Sequence, residues 1–291
     1  MGFRISIFML WVVFTLLSPA YAQKISSPSR AGDLSPQEVI QDLAQANVVY
    51  LGETHDSAED HKAQLYIIQQ LYEKDPRMAI GMEMFQRPYQ LVLDNYLQGK
   101  LTEAALQKQS QYKKRWGYPW ENYAPILQFA KEKKLPVLAL NTPSEVTTKV
   151  SRKGLRSLKA ADTKFIPPIS QIRTDNLKYR ESLEEVYKDV HEKGKAKDPS
   201  QFARFFQAQV LWDETMAEVI AQFLKRNPGF YVVVLAGQGH IVYGYGIPSR
   251  VARRINSISI KTVVQRSVLL NPTEETPQEK SDIANYFWNN R

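Results

Sequence analysis

The chain contains no cysteine. Disulfides, thiolate metal sites and the lipid-attachment cysteine of a lipoprotein are all excluded, so the fold must be held by its core. Long apolar runs are scarce as well. The one that stands out lies near the amino terminus, from Ile5 to Leu17, and it falls short of the roughly 20 residues that span a bilayer. Histidine is rare, with four in 291 residues. Acidic groups are outnumbered, 30 against 38 Lys and Arg, for a formal charge of +8. A basic cluster from Lys149 to Lys164, with Arg152, Lys153, Arg156 and Lys159 between, carries no nucleic-acid motif. It reads as a solvated surface, and no nucleic-acid partner is expected.

The amino terminus has the order of a secretory signal: Arg4, the apolar run, Pro19, then Ala20-Tyr21-Ala22. Residues 1–22 are therefore expected to be removed before Gln23. The product is expected to be exported, periplasmic or extracellular, soluble, and without a stable membrane anchor. Residues 23–34, rich in Ser, Pro and Gly, read as a linker. Residues 35–270 form the main domain, and 271–291 a peripheral tail.

Within the main domain, short apolar runs alternate with longer helical patterns. Asn47 to Gly52, Met78 to Met82, Pro136 to Leu140, Phe230 to Ala236 and about Ile258 to Val268 have the length and Val/Ile content of strands covered on both faces. Helical stretches between them imply crossovers, hence an α/β fold with a mainly parallel central sheet flanked by helices. A helix follows the first strand, capped by Ser57 with Asp60 three residues on, and carries Leu65, Ile68, Leu71 and Tyr72 on one face. Residues of about 86–125 and 165–226 are too long for simple crossovers and are expected to form a helical cap over the carboxyl ends of the strands.

The strand ends carry the chemistry. The first runs into Gly52-Glu53-Thr54-His55-Asp56, the second into Glu83, the third into Asn141, and the fourth into Gly237-Gln238-Gly239-His240. Ligands of open parallel sheets bind outside the carboxyl ends of strands. Four strands each deliver polar groups to that edge, and His55 and His240 both close a Gly-x-x-His turn. Neutral imidazoles with Glu53 or Glu83 could hold a divalent metal ion, or His55, Glu83 and His240 could act as catalytic acid and base around a water. The alternative is that the histidines only pin their turns. Asp56, Asn141 and Gln238 belong to the same pocket. Asp213 interrupts the apolar stripe Phe206, Val210, Ala217, Ile220 and Leu224, so it is either buried with a partner or at the helix margin with Trp212 inside. His61 and His191 read as surface residues.

Two aromatic loops stand out, Arg115 to Tyr123 and Tyr243 to Pro248. Such density usually means core, although flat aromatic walls and tyrosinate also suit a haem.

Taken with Leu51 to Asp56, Gly81 to Phe85, Trp116 to Tyr123, Ala139 to Asn141, Asp213 to Ala217, Gly237 to His240 and Gly246 to Pro248, the chain resembles the ChaN family of haem-binding uptake proteins, within the wider Tiki and erythromycin-esterase-like superfamily. The resemblance runs from about Asp33 to Leu270. It implies an α/β fold with a helical cap, haem as cofactor and partner, and two haems face to face in a haem-linked homodimer. Tyr118 and Tyr243, in glycine-containing loops, are the expected iron ligands, with Arg115 and Arg250 pairing with the propionates. The superfamily's enzymes imply the alternative, a hydrolase, metal-dependent or direct, using His55, His240 and Glu83. Missing from this chain is the lipid-attachment cysteine of some members.

Overall fold

The strand-forming runs all pack on both faces, and the covers differ. In the computed structural model, which describes residues 24–191, 199–256, 263–272 and 283–289, the elements follow in order. They are β1 (Lys24–Ser27), β2 (Arg30–Leu34), α1 (Pro36–Leu43), β3 (Val48–Glu53), α2 (Ala58–Lys74), β4 (Met78–Gln86), α3 (Gln90–Leu97), α4 (Glu103–Gln109) and α5 (Tyr112–Arg115). Then come α6 (Trp120–Glu132), β5 (Val137–Asn141), α7 (Ser144–Lys153), α8 (Leu177–His191), α9 (Pro199–Arg226), β6 (Tyr231–Gly237), α10 (Ile247–Asn256), β7 (Gln265–Leu270) and β8 (Tyr286–Asn289). The signal-like residues 1–22 lie outside the described residues, as do the side chain of His191 and the first part of the expected fifth strand.

Eight strands form one sheet in the order β2-β1-β8-β7-β3-β6-β4-β5. The six from β8 to β5 are parallel, and β1 and β2 add an antiparallel hairpin at one edge. Alternation along each strand divides the core. Val49, Leu51, Ile80, Met82, Val233 and Leu235 face α1, α2, α3 and α6. Val48, Tyr50, Ala79, Val232, Val234 and Ala236 face the carboxyl-terminal half of α9 and α10. This double cover is why the strands read as unbroken apolar runs.

Several boundaries differ from the sequence reading. Residues 24–34 are not a linker: β1 pairs with β8, with Ile25 buried in the core. Edge strands tolerate the polar, glycine-bearing composition that suggested a linker. Nor is the carboxyl terminus all peripheral, because β8 inserts between β1 and β7 and its Trp288 is fully buried. In the cap, α3 and α6 belong to the helical layer on the sheet. What overhangs the strand ends is α5 with the turn 116–119, and the amino-terminal half of α9, which carries α7 and α8 in small clusters of their own.

The connectivity places a crevice. After β5 the chain returns to insert β6 between β3 and β4, and β7 then pairs on the other side of β3. The carboxyl ends of β3, β6 and β4 therefore lie side by side where the strand order reverses, the position at which such sheets bind ligands.

Candidate functional site

Those three strand ends bring His55, Glu83 and His240 together. Parallel pairing sets Gly52 opposite Ala236 and Glu53 opposite Gly237, so the two Gly-x-x-His turns leave neighbouring strands almost in register. Each histidine turns its Nδ1 to a buried carboxylate: His55 to Glu53 Oε1 at 2.9 Å, His240 to Asp213 Oδ1 at 2.7 Å. Each carboxylate also accepts a tyrosine hydroxyl, from Tyr123 to Glu53 Oε1 at 2.7 Å and from Tyr179 to Asp213 Oδ2 at 2.7 Å. The site is thus two tyrosine–carboxylate–histidine relays facing one another.

Glu83 lies between them. Its Oε2 accepts the Gly237 N–H at 2.8 Å, and its Oε1 is 3.4 Å from His240 Nε2. A Cβ at Gly237 would stand 2.9 Å from His55 Cε1 and 3.0 Å from its Nε2, so any other residue there would push the His55 ring aside. Gly246 is more tightly constrained, because its Cβ would fall 2.2 Å from the His240 carbonyl oxygen, which is backbone.

Charge follows from this geometry. Burial opposes the charged form of Glu83, but the His240 imidazolium beside it, with His55 and the Gly237 N–H, outweighs burial and lowers its pKa to about 2. Burial likewise opposes charge on His240, yet Glu83 and the Asp213 hydrogen bond raise it to about 10. For His55, burial is overcome by the Glu53 hydrogen bond and the Glu83 charge, and its pKa rises from 6.5. Tyr123 and Tyr179 are pushed far above the ordinary phenol value, first by burial and then by the carboxylates they serve, so both remain donors.

A pH prediction follows by linkage. The share of stability due to the raised His240 is complete below pH 6.5 and is lost as pH rises through about 10. That due to the lowered Glu83 is complete above pH 4.5 and is lost as pH falls through about 2. The melting temperature should therefore be highest between pH 4.5 and 6.5. Melts of wild type and His240→Gln from about pH 3 to about pH 10 check this, with the alkaline decline reduced in the variant. A wild-type melting temperature that climbs above pH 7 would contradict the ion pair.

The other expected site residues divide. A cavity of about 440 Å³ opens at the mouth of the crevice, and His55, Glu83, Asn141, His240, Arg115 and Tyr118 line it. Asn141 donates to the Glu83 carbonyl at 2.9 Å. Trp116, Trp212 and Phe205 supply flat walls. Asp213 is fully buried behind His240, which settles its helix: the apolar stripe faces inward and Trp212 lies at the cavity.

Four residues expected at the site are elsewhere. Tyr243 stacks on Tyr245 at 5.2 Å and borders a different cavity with Tyr50 and Gln265. Arg250 is buried, donating to the carbonyls of Tyr245 and Gly246 and lying 3.4 Å from Glu214, so it has no free face for a propionate. Gln238 turns its amide to the Leu270 carbonyl, and Asp56 is exposed outside the cavity lining. Among the described residues, no group of three His, Asp or Glu side chains is arranged to hold a metal ion. The divalent-metal expectation is not supported by this arrangement: Glu53 is committed to His55 Nδ1, and Glu83 to the Gly237 N–H and His240.

His61 is a correction too, being only 3% exposed. Its Nδ1 meets Gln64 Oε1 at 3.0 Å and its Nε2 the His55 carbonyl at 3.1 Å, while Gln64 Nε2 donates to Glu53 Oε2 at 2.7 Å. The sequence reading missed this support for Glu53. Its signal was there in His61 and Gln64, three residues apart at the start of α2, whose buried face also holds Asp60, Ile67, Ile68 and Leu71.

Fold and site together define an α/β protein with a histidine–carboxylate pocket under an aromatic mouth at the switch point of a parallel sheet. A model of the family described as haem-binding uptake, Tiki superfamily, ChaN matches residues 39–251, and the chain belongs to that family. Its fold is similar to that of ChaN of Campylobacter jejuni, solved with cofacial heme bound, at 18% identity and a TM-score of 0.71, over 91% of this chain and 96% of that one. It is 26% identical over 286 residues to Protein RETICULATA-RELATED 5, chloroplastic, of Arabidopsis thaliana, covering 92% of this chain. The chain spans 37% of the length of that relative. An erythromycin esterase mutant in its open conformation matches at 15% identity with a TM-score of 0.47, over 91% of this chain and 81% of that one.

Proposed function

We propose that the protein binds ferric haem at the aromatic mouth of the pocket, with the Tyr118 phenolate as iron ligand, and that it serves in haem or iron handling. The observation that carries this reading is the position of Tyr118. It is 37% exposed, stands over the cavity mouth, and is held by ring contacts with His55 at 4.9 Å and Trp116 at 5.4 Å. Trp116, Trp212 and Phe205 fit the faces of a porphyrin. Bound haem would supply a ferric centre whose positive charge a phenolate neutralises. Family membership supports the same ligand. The pattern from Arg4 to Ala22 supports a place outside the cytoplasm. The exposed side of Tyr118 leaves room for a second copy across a shared haem, which would be read as haemin-dependent doubling of mass in sedimentation.

Haemin titration followed at the Soret band tests the reading. A saturable shift with a high-spin tyrosinate spectrum is expected, and a spectrum indistinguishable from free haemin would refute it.

A second reading rests on a separate observation, the two relays facing Glu83. A water between His55 and Glu83 could give a proton to neutral His55 and attack an ester carbonyl, while the His240 imidazolium returns a proton to the leaving oxygen. Hydrolysis of a p-nitrophenyl ester, persisting in chelator and lost in His55→Ala and His240→Ala, would support it. Rates equal to those of buffer would dismiss it.

A further inference from the structure

Arg115 is held at the cavity wall with more precision than a surface arginine needs. Its Nη1 donates to Gln86 Oε1 at 2.7 Å and to Ser144 Oγ at 2.9 Å, its Nε to Gln111 Oε1 at 3.2 Å, and its guanidinium lies 5.0 Å from the centre of the Tyr89 ring. Gln86 is itself buried at the end of β4 and also accepts the Ser144 N–H at 3.2 Å. These contacts come from the end of β4, the turn after it, the residue that precedes α5 and the start of α7, so the guanidinium plane is fixed before any ligand arrives.

Its charge partner is of another kind. Glu145 meets Arg115 in a fork, Oε1 at 2.7 Å from Nη2 and Oε2 at 3.1 Å from Nη1. Yet the Glu145 side chain is 66% exposed while that of Arg115 is 12% exposed. Glu145 is absent from the cavity lining that contains Arg115, Gln86 and Ser144. The two halves of the pair therefore differ in what separation costs. Glu145 can return to water with little loss, since exposed ion pairs contribute about 0–1 kcal/mol. Arg115, largely removed from water, needs a carboxylate or its equivalent to remain where it is.

From this asymmetry we infer that the Arg115 guanidinium, backed by Gln86 and Ser144, is a carboxylate-binding subsite of the pocket, and that Glu145 is a resident surrogate which the ligand's carboxylate displaces. The ligand class is a flat aromatic carrying a carboxylate arm, and a porphyrin propionate is the instance that the haem reading supplies. The inference rests on that reading for the porphyrin, but not for the carboxylate. Acid does not open the subsite in the physiological range. The Arg115 hydrogen bond holds Glu145 ionised down to about pH 2, so displacement is by competition between anions. Ser144 and Glu145 open α7, and a carboxylate arriving there also faces the positive end of a ten-residue helix.

The test compares wild type, Glu145→Gln and Arg115→Gln. Haemin, haemin dimethyl ester and naphthalene-2,6-dicarboxylate are each titrated, by Soret shift for the haemins and quenching of tryptophan fluorescence for the naphthalene. Removing the surrogate should tighten haemin about three- to fivefold, the factor set by losing a weak competitor. Arg115→Gln should weaken it about tenfold or more, as loss of a forked charge-assisted pair would. Neither change should alter binding of the dimethyl ester, which lacks the carboxylates. Should Arg115→Gln fail to fold, Glu145→Gln carries the test alone. If wild type binds no haemin while Glu145→Gln still tightens the naphthalene dicarboxylate, the haem reading falls and the subsite stands. If Glu145→Gln matches wild type for both carboxylate ligands, or tightens the ester equally, the surrogate is wrong.

Discussion

Tyr118→Phe is expected to abolish the tyrosinate-type spectrum of the haemin complex and to weaken binding by at least about tenfold, or ~1.4 kcal/mol. Tyr243→Phe is expected to change neither. The sequence offered both tyrosines on the same ground, a glycine-containing loop. The structure separates them. Tyr118 follows Gly117, whose φ of +87° turns the chain so that the ring stands at the cavity mouth, tilted against that of His55 at 4.9 Å. Tyr243 is itself in the left-handed region at φ 56°, with its N–H donating to the Ile283 carbonyl and its ring stacked on Tyr245. Reaching the pocket would require breaking that turn. His55→Ala provides the contrast. His55 Nδ1 is occupied by Glu53, and its ring packs 4.9 Å from Tyr118 and, in a T-shaped contact, 4.7 Å from Trp116, so losing it should leave the tyrosinate spectrum in place. If Tyr118→Phe keeps the wild-type spectrum while His55→Ala loses it, iron ligation at this mouth is by imidazole, and the assignment to Tyr118 is wrong.

The separation of these two tyrosines also shows what sequence could and could not convey. Strand ends are legible because a parallel strand buried on both faces is an unbroken apolar run, and the first polar residues after it must lie at one edge of the sheet. Glu53, His55, Asn141 and His240 were placed by that rule alone. Glu83 was placed by the same rule although β4 continues to Gln86, so it is a buried residue within the strand, satisfied by the Gly237 N–H. Partners from helices were harder. Asp213 was visible as a charge in an apolar stripe. Its Tyr179 partner was not, because 34 positions of chain separate them and only the docking of α8 on α9 brings the hydroxyl to 2.7 Å. Arg250 failed for the reverse reason. Proximity in sequence to His240 suggested the pocket, but α10 turns its guanidinium back onto carbonyls at its own start. The edge strands β1 and β8 escaped notice because pairing at a sheet edge requires little apolar sequence, although the Tyr286-Phe287-Trp288 triplet was a usable sign.

Asp213→Ala is expected to be among the most damaging single changes in the protein, costing about 3–5 kcal/mol. In a chain of this size that corresponds to a fall in melting temperature of roughly 10 °C. The argument is one of buried charge. Asp213 is fully buried and lies between three groups: His240 Nδ1 at 2.7 Å, the Tyr179 hydroxyl at 2.7 Å and Arg250 Nη1 at 4.0 Å. Removing the carboxylate leaves the His240 imidazolium with Glu83 alone, leaves a buried phenol without its acceptor, and opens a cavity against Gly246, where no side chain can move in because a Cβ there already meets backbone. Asp213→Asn separates these effects. It keeps the volume and an acceptor for His240 Nδ1, and removes only the charge, so it should cost less than Asp213→Ala. It should also lower the His240 pKa from about 10 toward 6.5, moving the alkaline loss of stability to lower pH. Tyr179→Phe removes a single hydrogen bond and should cost about 1–3 kcal/mol. Chemical denaturation of the three variants, with the His240 ring followed by proton NMR, gives the ordering directly. An Asp213→Ala protein within about 1 kcal/mol of wild type, or one no less stable than Tyr179→Phe, would mean that His240 is not held as a buried cation and that Asp213 is not its counter-charge.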